Sequence, residues 1–558
     1  MALQHFDAVV VGSGFGGSVV TCRLAEAGLR VCLLERGRAY PPGSFPRSPA
    51  GMRTNFWDPS EGLLGLYSVW AFKGISALVS AGLGGGSLIY ANVLLRKDEK
   101  WFEEDGWKWP VDRKTLDPYY DEVEKVMKPE QYPIKHSPYD TTWKLKAMRD
   151  AASALGMQFG TPPLAITFAN KDQKPVPGQK IEEEFRNLHD RDRYTCLLVG
   201  ECDVGCNSGS KNSVDYTYLS IAKRSDADIR TLSEVKAVRP RRGGGYEIDY
   251  VVHDLATLGT KPDPKKRTCV TITADRLIVS AGTIGTAYLL LRNRENFPRF
   301  NQHLGKKFCG NGDLLGFMLR CLDPKTALLQ NVDPSRAPAI TSYLRADDTL
   351  DDPAVNRRGF YIEDGGHPEF LNWLVEASQV PGIFRRAVHF AWNRLRSMLS
   401  QDPRSELSRE ISALFGKCDL ASSSFPILGM GRDVADGEMS LNRRGFLAVK
   451  WDTQTSKSYL DALDAKMQEL ARLIHADFKR NPVWYFKRVI TVHPLGGCPM
   501  GHDPSDGFVD SYGRVFAYDD LYVADGSVMP GPIGANPSMS IAAMAERTAR
   551  FIIERSGR

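Results

Sequence analysis

Six residues near the start of the chain, Gly12-Ser13-Gly14-Phe15-Gly16-Gly17, have the types and spacing needed to hold a pyrophosphate. In such a turn Gly12 permits the tight bend and Gly14 lets the main chain approach phosphate oxygens. Gly17 allows a helix to pack closely on a strand. Glu35 follows 23 positions after Gly12, where a carboxylate accepts hydrogen bonds from ribose hydroxyls and disfavours a ribose carrying an extra phosphate. The elements that must position these groups are legible around them. Residues 6–11 form a β-branched run of the kind that makes a buried parallel strand. Residues 18–27 have helical apolar spacing, and 30–34 read as a second strand ending at Glu35. The helix start supplies free N–H groups and a positive dipole end. A dinucleotide site follows, with NAD and FAD equally compatible on these residues.

A second cluster of reactive types, Cys196, Cys202 and Cys206, lacks a paired Cys-x-x-Cys and has no evident fourth ligand. No metal is expected, and the three thiols read as part of a turn near the nucleotide that leads through 209–213 into a helix. The other cysteines are scattered among apolar residues, which fits reduced thiols.

The 558 residues exceed one simple core and suggest two joined domains. Seventy-two basic and 67 acidic side chains leave a net charge of +5 without a long basic run, which gives nucleic-acid binding little support. The first residues lack the features of a signal peptide, and no run of about 18 apolar residues suggests a membrane span. The expected location is the cytoplasm.

Three further segments resemble the glucose–methanol–choline (GMC) flavoenzymes. The first runs Gly82-Leu83-Gly84-Gly85-Gly86-Ser87 and on to Asn92; in that family it passes the pyrophosphate and the flavin ring. The second, 278–286, contains Ala281 and Gly282 and precedes a helix at 287–292; by the resemblance it belongs to the nucleotide sheet. Val235, in a strand-like stretch at 228–238, would lie near the adenine. The third is the block 491–553, with His493-Pro494-Leu495-Gly496-Gly497, Asp525-Gly526 and Asn536-Pro537 before a helix at 539–553. The family uses the Asp-Gly pair at the ribityl and phosphate portion of FAD and the Asn-Pro pair beside the ring. NAD alone does not account for this block, so FAD is the expected cofactor.

The same segments are most similar to the cholesterol oxidase branch. That resemblance puts His493 and Asn536 at the substrate carbon, where a group titrating near working pH is useful for removing the O–H proton. It also implies a glutamate from the substrate domain. Glu363 is the nearest candidate, though Asp364-Gly365-Gly366 after it reads equally well as a solvated turn. Sterol oxidases of this kind carry an asparagine three places after the glycine-rich serine; here that place holds Tyr90, with Asn92 two places on. The segment has no histidine, so FAD is expected to bind non-covalently.

The resemblance implies an α/β fold: a Rossmann-like FAD-binding domain at 1–97, 195–316 and 488–558. Interleaved with it, 98–194 and 317–487 form an α+β substrate domain on a mostly antiparallel sheet. Residues 430–451 read as a hairpin turning at Asn442-Arg443-Arg444-Gly445. Within 368–400, Phe384, Val388, Trp392, Leu395 and Leu399 fall at helical spacing among arginines. Three readings of that helix stand: packed on the surface, a lid, or a peripheral membrane contact. The expected reaction is oxidation of a bulky apolar secondary alcohol, sterol-like first, with molecular oxygen or another acceptor taking the electrons. A long-chain, cyclic or natural-product alcohol, or lyase or photodecarboxylase chemistry on the same fold, are the alternatives.

Overall fold

Strand Gln4–Val11 is buried along its second half and pairs in parallel with Val31–Leu34 on one side and Thr268–Val279 on the other. Continuous apolar runs such as Val31-Cys32-Leu33-Leu34 suit strands covered on both faces. Asp228–Arg230 adds in parallel beyond Val31–Leu34, and Leu521–Val523 pairs in parallel with the far end of Thr268–Val279. The antiparallel strands Tyr246–Val252 and Ser233–Pro240 complete a seven-stranded sheet. This computed structural model describes residues 3–104, 106–261, 263, 268–346, 358–369, 419–481 and 489–557.

Helix Phe15–Glu26 opens at Gly14 and packs against the long helix Ser538–Arg555. Arg23 clamps the two together, its guanidinium bidentate on the buried Glu546 carboxylate at 2.8 Å, with the Tyr218 hydroxyl donating to the same group. Planar, charge-assisted pairs of this kind fix orientation as well as distance.

A second sheet has six strands, all antiparallel, in the order Met157–Gly160, Tyr343–Ala346, Phe360–Asp364, Phe425–Gly431, Leu314–Leu319 and Asp477–Arg480. Strand alternation divides the labour of its two faces. Phe360, Ile362, Phe425 and Ile427 point into a core closed by Leu460, Leu463, Met467 and Leu470 of helix Lys457–Leu473. Each such apolar side chain contributes roughly 1.5–3 kcal/mol on burial. Tyr361 and Met430 point the other way, into a small cluster with Trp101 and Ala535.

The α/β architecture with a parallel nucleotide sheet and an antiparallel partner is as expected; several local readings change. Residues 228–238 are not one strand: the chain breaks at Leu232, whose φ of 56° is left-handed, and resumes as Ser233–Pro240 on the other side of the sheet. The hairpin is confined to Glu438–Leu441 and Leu447–Lys450, because Met430 and Gly431 belong to the six-stranded sheet. It packs with Phe72, Ile75 and Phe308. The expected helix at 368–400 falls, from 370 on, outside the described residues. Among the described residues no helix is long and apolar enough to cross a membrane.

Candidate functional site

The glycines of the two rich segments face one another. Gly12 turns with φ +98°, and a Cβ there would come 2.3 Å from the Ser280 carbonyl. Gly85 lies so close to Gly14 that its Cβ would stand 2.5 Å from the Gly14 Cα, while Gly14 itself, Gly86 and Gly282 have nothing within 4 Å of that position. Gly17 presses on the Gly12 carbonyl and Gly16 on that of Ala524, which brings helix Phe15–Glu26 onto the strand ends. Ser13 joins the segments: its hydroxyl donates to the Glu35 carboxylate at 2.6 Å and accepts the Gly84 N–H at 3.0 Å. Glu35 also takes the N–H groups of Ser13 and Gly37, which fills three of its roughly four acceptor sites. The result is an open cradle of bare main chain, suited to phosphates.

The other predicted cofactor residues lie on separate turns and strands. Ala281, whose backbone lies against Gly12, caps helix Gly282–Arg292, which starts five residues earlier than expected, so Gly282 lies in its first turn. Asp525 accepts Ser527 N–H at 2.9 Å and the Thr286 hydroxyl, fastening that helix to the Gly526 turn; burial raises its carboxyl. Val235 sits half-buried at a register shift in its strand. The Ser87 hydroxyl donates to the Gly84 carbonyl, and Gly82 bridges to Arg38. Asn92 is fully buried with φ 70°, and neither its amide oxygen nor its nitrogen has a partner. A polar ligand along the cradle supplies what that amide lacks, so these residues fit a dinucleotide. Tyr90 packs edge-on against Phe15, and the Lys211 ammonium, close to its ring, donates to the carbonyls of Leu88, Tyr90 and Cys202. The cysteine turn is thereby tied to the glycine-rich segment. Among the described residues no group of His, Cys, Asp and Glu could hold a metal ion.

His493, Asn536 and Glu363 come from three distant stretches. Glu363 is on strand Phe360–Asp364, not in a turn, because pairing with Leu428 and Tyr343 extends the sheet through it. It shares a face with Tyr361 and is wholly buried. The Asn536 amide donates to its Oε2 at 3.2 Å, while Glu363 Oε1 and Asn536 Oδ1 have no partner. Burial, with Asp364, Asp313 and Asp203 adding to it against the Asn536 bond, pushes the Glu363 carboxyl up to about 8. Asn536-Pro537 leads directly into helix Ser538–Arg555.

One short turn, Asn311-Gly312-Asp313, holds both His493 and the Asn536 loop, and the sequence analysis did not single it out. Asp313 Oδ1 lies 2.8 Å from His493 Nδ1, and its Oδ2 accepts the N–H groups of Val492 and His493 and the Thr491 hydroxyl. An ionised carboxylate only accepts, so Nδ1 carries the ring proton and Nε2 is left as the acceptor. Asn311 grips the other loop, accepting the N–H groups of Ile533 and Gly534 and donating to the Ala535 carbonyl, all at 2.9 Å. The alternation of Gly310-Asn311-Gly312-Asp313 just before an apolar strand was the available signal.

The chain is similar to several known proteins. A family model described as GMC oxidoreductase matches residues 433–545, and one described as NAD(P)-binding Rossmann-like domain matches 10–43. The chain is 28% identical to a cholesterol oxidase of Mycobacterium tuberculosis over 98% of its own length and 90% of the relative's. It is also 28% identical to a cholesterol oxidase of Acinetobacter baumannii, over 98% and 94%. Among solved structures, pyridoxine 4-oxidase from Mesorbium loti aligns with a TM-score of 0.58 at 16% identity, covering 98% of each chain, a likeness of fold.

Proposed function

Since the chain belongs to the GMC oxidoreductases, in their cholesterol oxidase-like branch, and is an FAD-dependent enzyme acting on alcohol-type donors, we propose that it oxidises a bulky, largely apolar secondary alcohol, sterol-like in shape. The observation that carries this reading is His493, its Nδ1 engaged by Asp313, on the same turn that grips the Asn536 loop. Trp101, Tyr361, Met430 and Ala535 add an apolar wall beside Asn536 and Glu363.

The residues along the cradle from Gly12 to Asn92 would hold FAD without a covalent link, and the flavin would supply a hydride acceptor for the alcohol carbon. His493 Nε2 takes the hydroxyl proton as the carbon–hydrogen bond breaks, and Asp313 balances the charge the ring then carries. Asn536 has a second amide hydrogen beyond the one given to Glu363, and it holds the substrate oxygen. Glu363, protonated at neutral pH, is a buried acid able to give or take a proton beside that oxygen. The oxidation calls for a final electron acceptor, molecular oxygen or another.

The test is an anaerobic titration of the flavin-loaded protein with sterols, cyclic alcohols and fatty alcohols, read as loss of oxidised flavin absorbance. Bleaching by ring alcohols ahead of fatty alcohols supports the proposal. A flavin that no alcohol bleaches overturns it.

A further inference from the structure

Lys144 and Asp364 take no part in the chemistry described so far, yet their side chains are only 1% and 0% exposed. They form an ion pair, Nζ to Oδ2, at 3.1 Å. It stands in a costly place. Burial strips both charges of water. Lys144 is also the second residue of helix Trp143–Leu155, where the positive end of the helix dipole disfavours a cation. Each partner is nonetheless saturated. The Lys144 ammonium donates to the carbonyls of Pro338 and Ala339, at 3.0 and 2.6 Å, as well as to Asp364. The Asp364 carboxylate also accepts the N–H groups of Thr341 and Ser342, at 2.9 and 2.6 Å, and the Thr341 hydroxyl. Three donors and about four acceptor sites are thus filled, so the pair has no capacity left for a ligand.

The pair fastens one segment at both of its ends. Residues 338–342 are gripped by Lys144 at their start and by Asp364 at their finish. They run directly into strand Tyr343–Ala346, whose Tyr343 lies opposite Glu363. The Asp364 N–H adds a bond to the Ser342 carbonyl at 3.3 Å. Asp364-Gly365-Gly366 has the composition of a solvated turn. Here Asp364 is instead the last residue of its strand, and Gly366 is buried. A Cβ on Gly366 would lie 2.7 Å from the Pro334 carbonyl and 3.3 Å from Lys144 Nζ. The ion pair thus draws inward a chain end that its own sequence would leave in water. Glu363 is the residue immediately before it.

We propose that Lys144 and Asp364 are positioning residues for Glu363: their buried pair holds the end of its strand in the interior and so keeps the Glu363 carboxyl against the Asn536 amide. The inference rests on the reading of Glu363 as part of the alcohol site. The titratable groups that bear on that carboxyl are Asp364 beside it, Asp313, Asp203, and Tyr343 on the neighbouring strand. All are acids. Removing the Lys144 cation while keeping them can only raise the Glu363 titration through charge, whereas moving the carboxyl into water lowers it.

The experiment uses the flavin-loaded full chain with Lys144→Met, and the double variant Lys144→Met with Asp364→Asn. Replacing both partners of a buried pair is far better tolerated than removing one, so the double variant keeps the test open should the single one not fold. Infrared pH-difference spectra, with Glu363→Gln as the blank, follow the Glu363 carboxyl, which in the unaltered protein titrates at about 8. In Lys144→Met the midpoint should fall by about one pH unit or more. In both variants the amides of residues 360–366 should exchange hydrogen about 10-fold faster or more, as expected of a strand end that opens locally. Flavin reduction by an alcohol should slow roughly 10- to 100-fold with bound FAD unchanged. Folded variants that lose only thermal stability, with midpoint, exchange and reduction rate as before, overturn the inference, because the pair is then merely structural. A midpoint that rises in Lys144→Met overturns it too, since the pair then acts by charge alone. Either result, with alcohols still reducing the flavin, sinks this inference alone. An unaltered protein whose flavin no alcohol reduces sinks the reading beneath it as well.

Discussion

Glu363 holds a proton in the folded protein over a pH range in which the unfolded chain has released it. Its carboxyl moves from an ordinary 4.5 to about 8, chiefly through burial. Unfolding therefore releases a proton throughout that range. The stability tied to this group is fully present below about pH 4.5 and is lost as pH rises through about 8. Each pH unit in the window costs about 1.4 kcal/mol, and the full window about 5 kcal/mol. Glu363→Gln keeps the shape and an oxygen for the Asn536 amide but does not titrate. Urea unfolding of both flavin-saturated proteins from pH 5 to pH 9.5 reads the difference. The glutamine variant should gain on the unaltered protein by about 1.4 kcal/mol per pH unit up to about pH 8, with a constant gap above. Infrared absorption of a protonated buried carboxyl should fade near pH 8 in the unaltered protein alone. A gap that stays flat between pH 5 and pH 8 would refute the reasoning, because it would mean that Glu363 ionises as freely folded as unfolded.

Asp313→Asn replaces an acceptor by an amide that donates to His493 Nδ1, which moves the ring proton to Nε2. The rate of flavin reduction by an alcohol, followed by stopped flow, should fall by on the order of 10²- to 10⁴-fold with KM little changed. A matched pair of glycine replacements separates packing from cofactor contact. Gly16→Ala sets a methyl 1.6 Å from the Ala524 carbonyl and should lower the unfolding temperature of the apoprotein markedly. Gly14→Ala meets nothing within 4 Å and should leave that temperature nearly as it was while weakening flavin retention, measured by bound FAD after gel filtration.

What could be read from the sequence was local. The turn from Gly12 to Gly17 and the strand before it declare themselves through β-branched runs and glycines, and Asn442 to Gly445 announces a hairpin through its own turn chemistry. The break at Leu232 was hidden because a leucine in the left-handed region leaves no compositional mark. Glu363 was undecided between strand and turn until its neighbours in the sheet, Tyr343 and Leu428, were known. Asn311 and Asp313 escaped notice for a related reason. What they hold lies some 180 to 220 residues further along the chain, and no spacing rule reaches so far. The resemblance supplied His493 and Asn536; only the fold showed what steadies them.

The position of strand Leu521–Val523 beside Thr268–Val279, and of helix Ser538–Arg555 against Phe15–Glu26, also governs how the molecule is made. On the ribosome the first strand and its glycine turn emerge roughly 500 residues before the pieces that cover them. At about 5–20 residues per second that is a delay of about 25 to 100 seconds. During it helix Phe15–Glu26, with its buried Val19 and Val20, gains helix Tyr218–Arg224 as a neighbour but still lacks the cover that Ser538–Arg555 later gives. Synthesis of this chain thus exposes a long-lived half-built domain, the kind of intermediate that chaperones bind, and a stalled ribosome would release a sticky fragment rather than a smaller working unit.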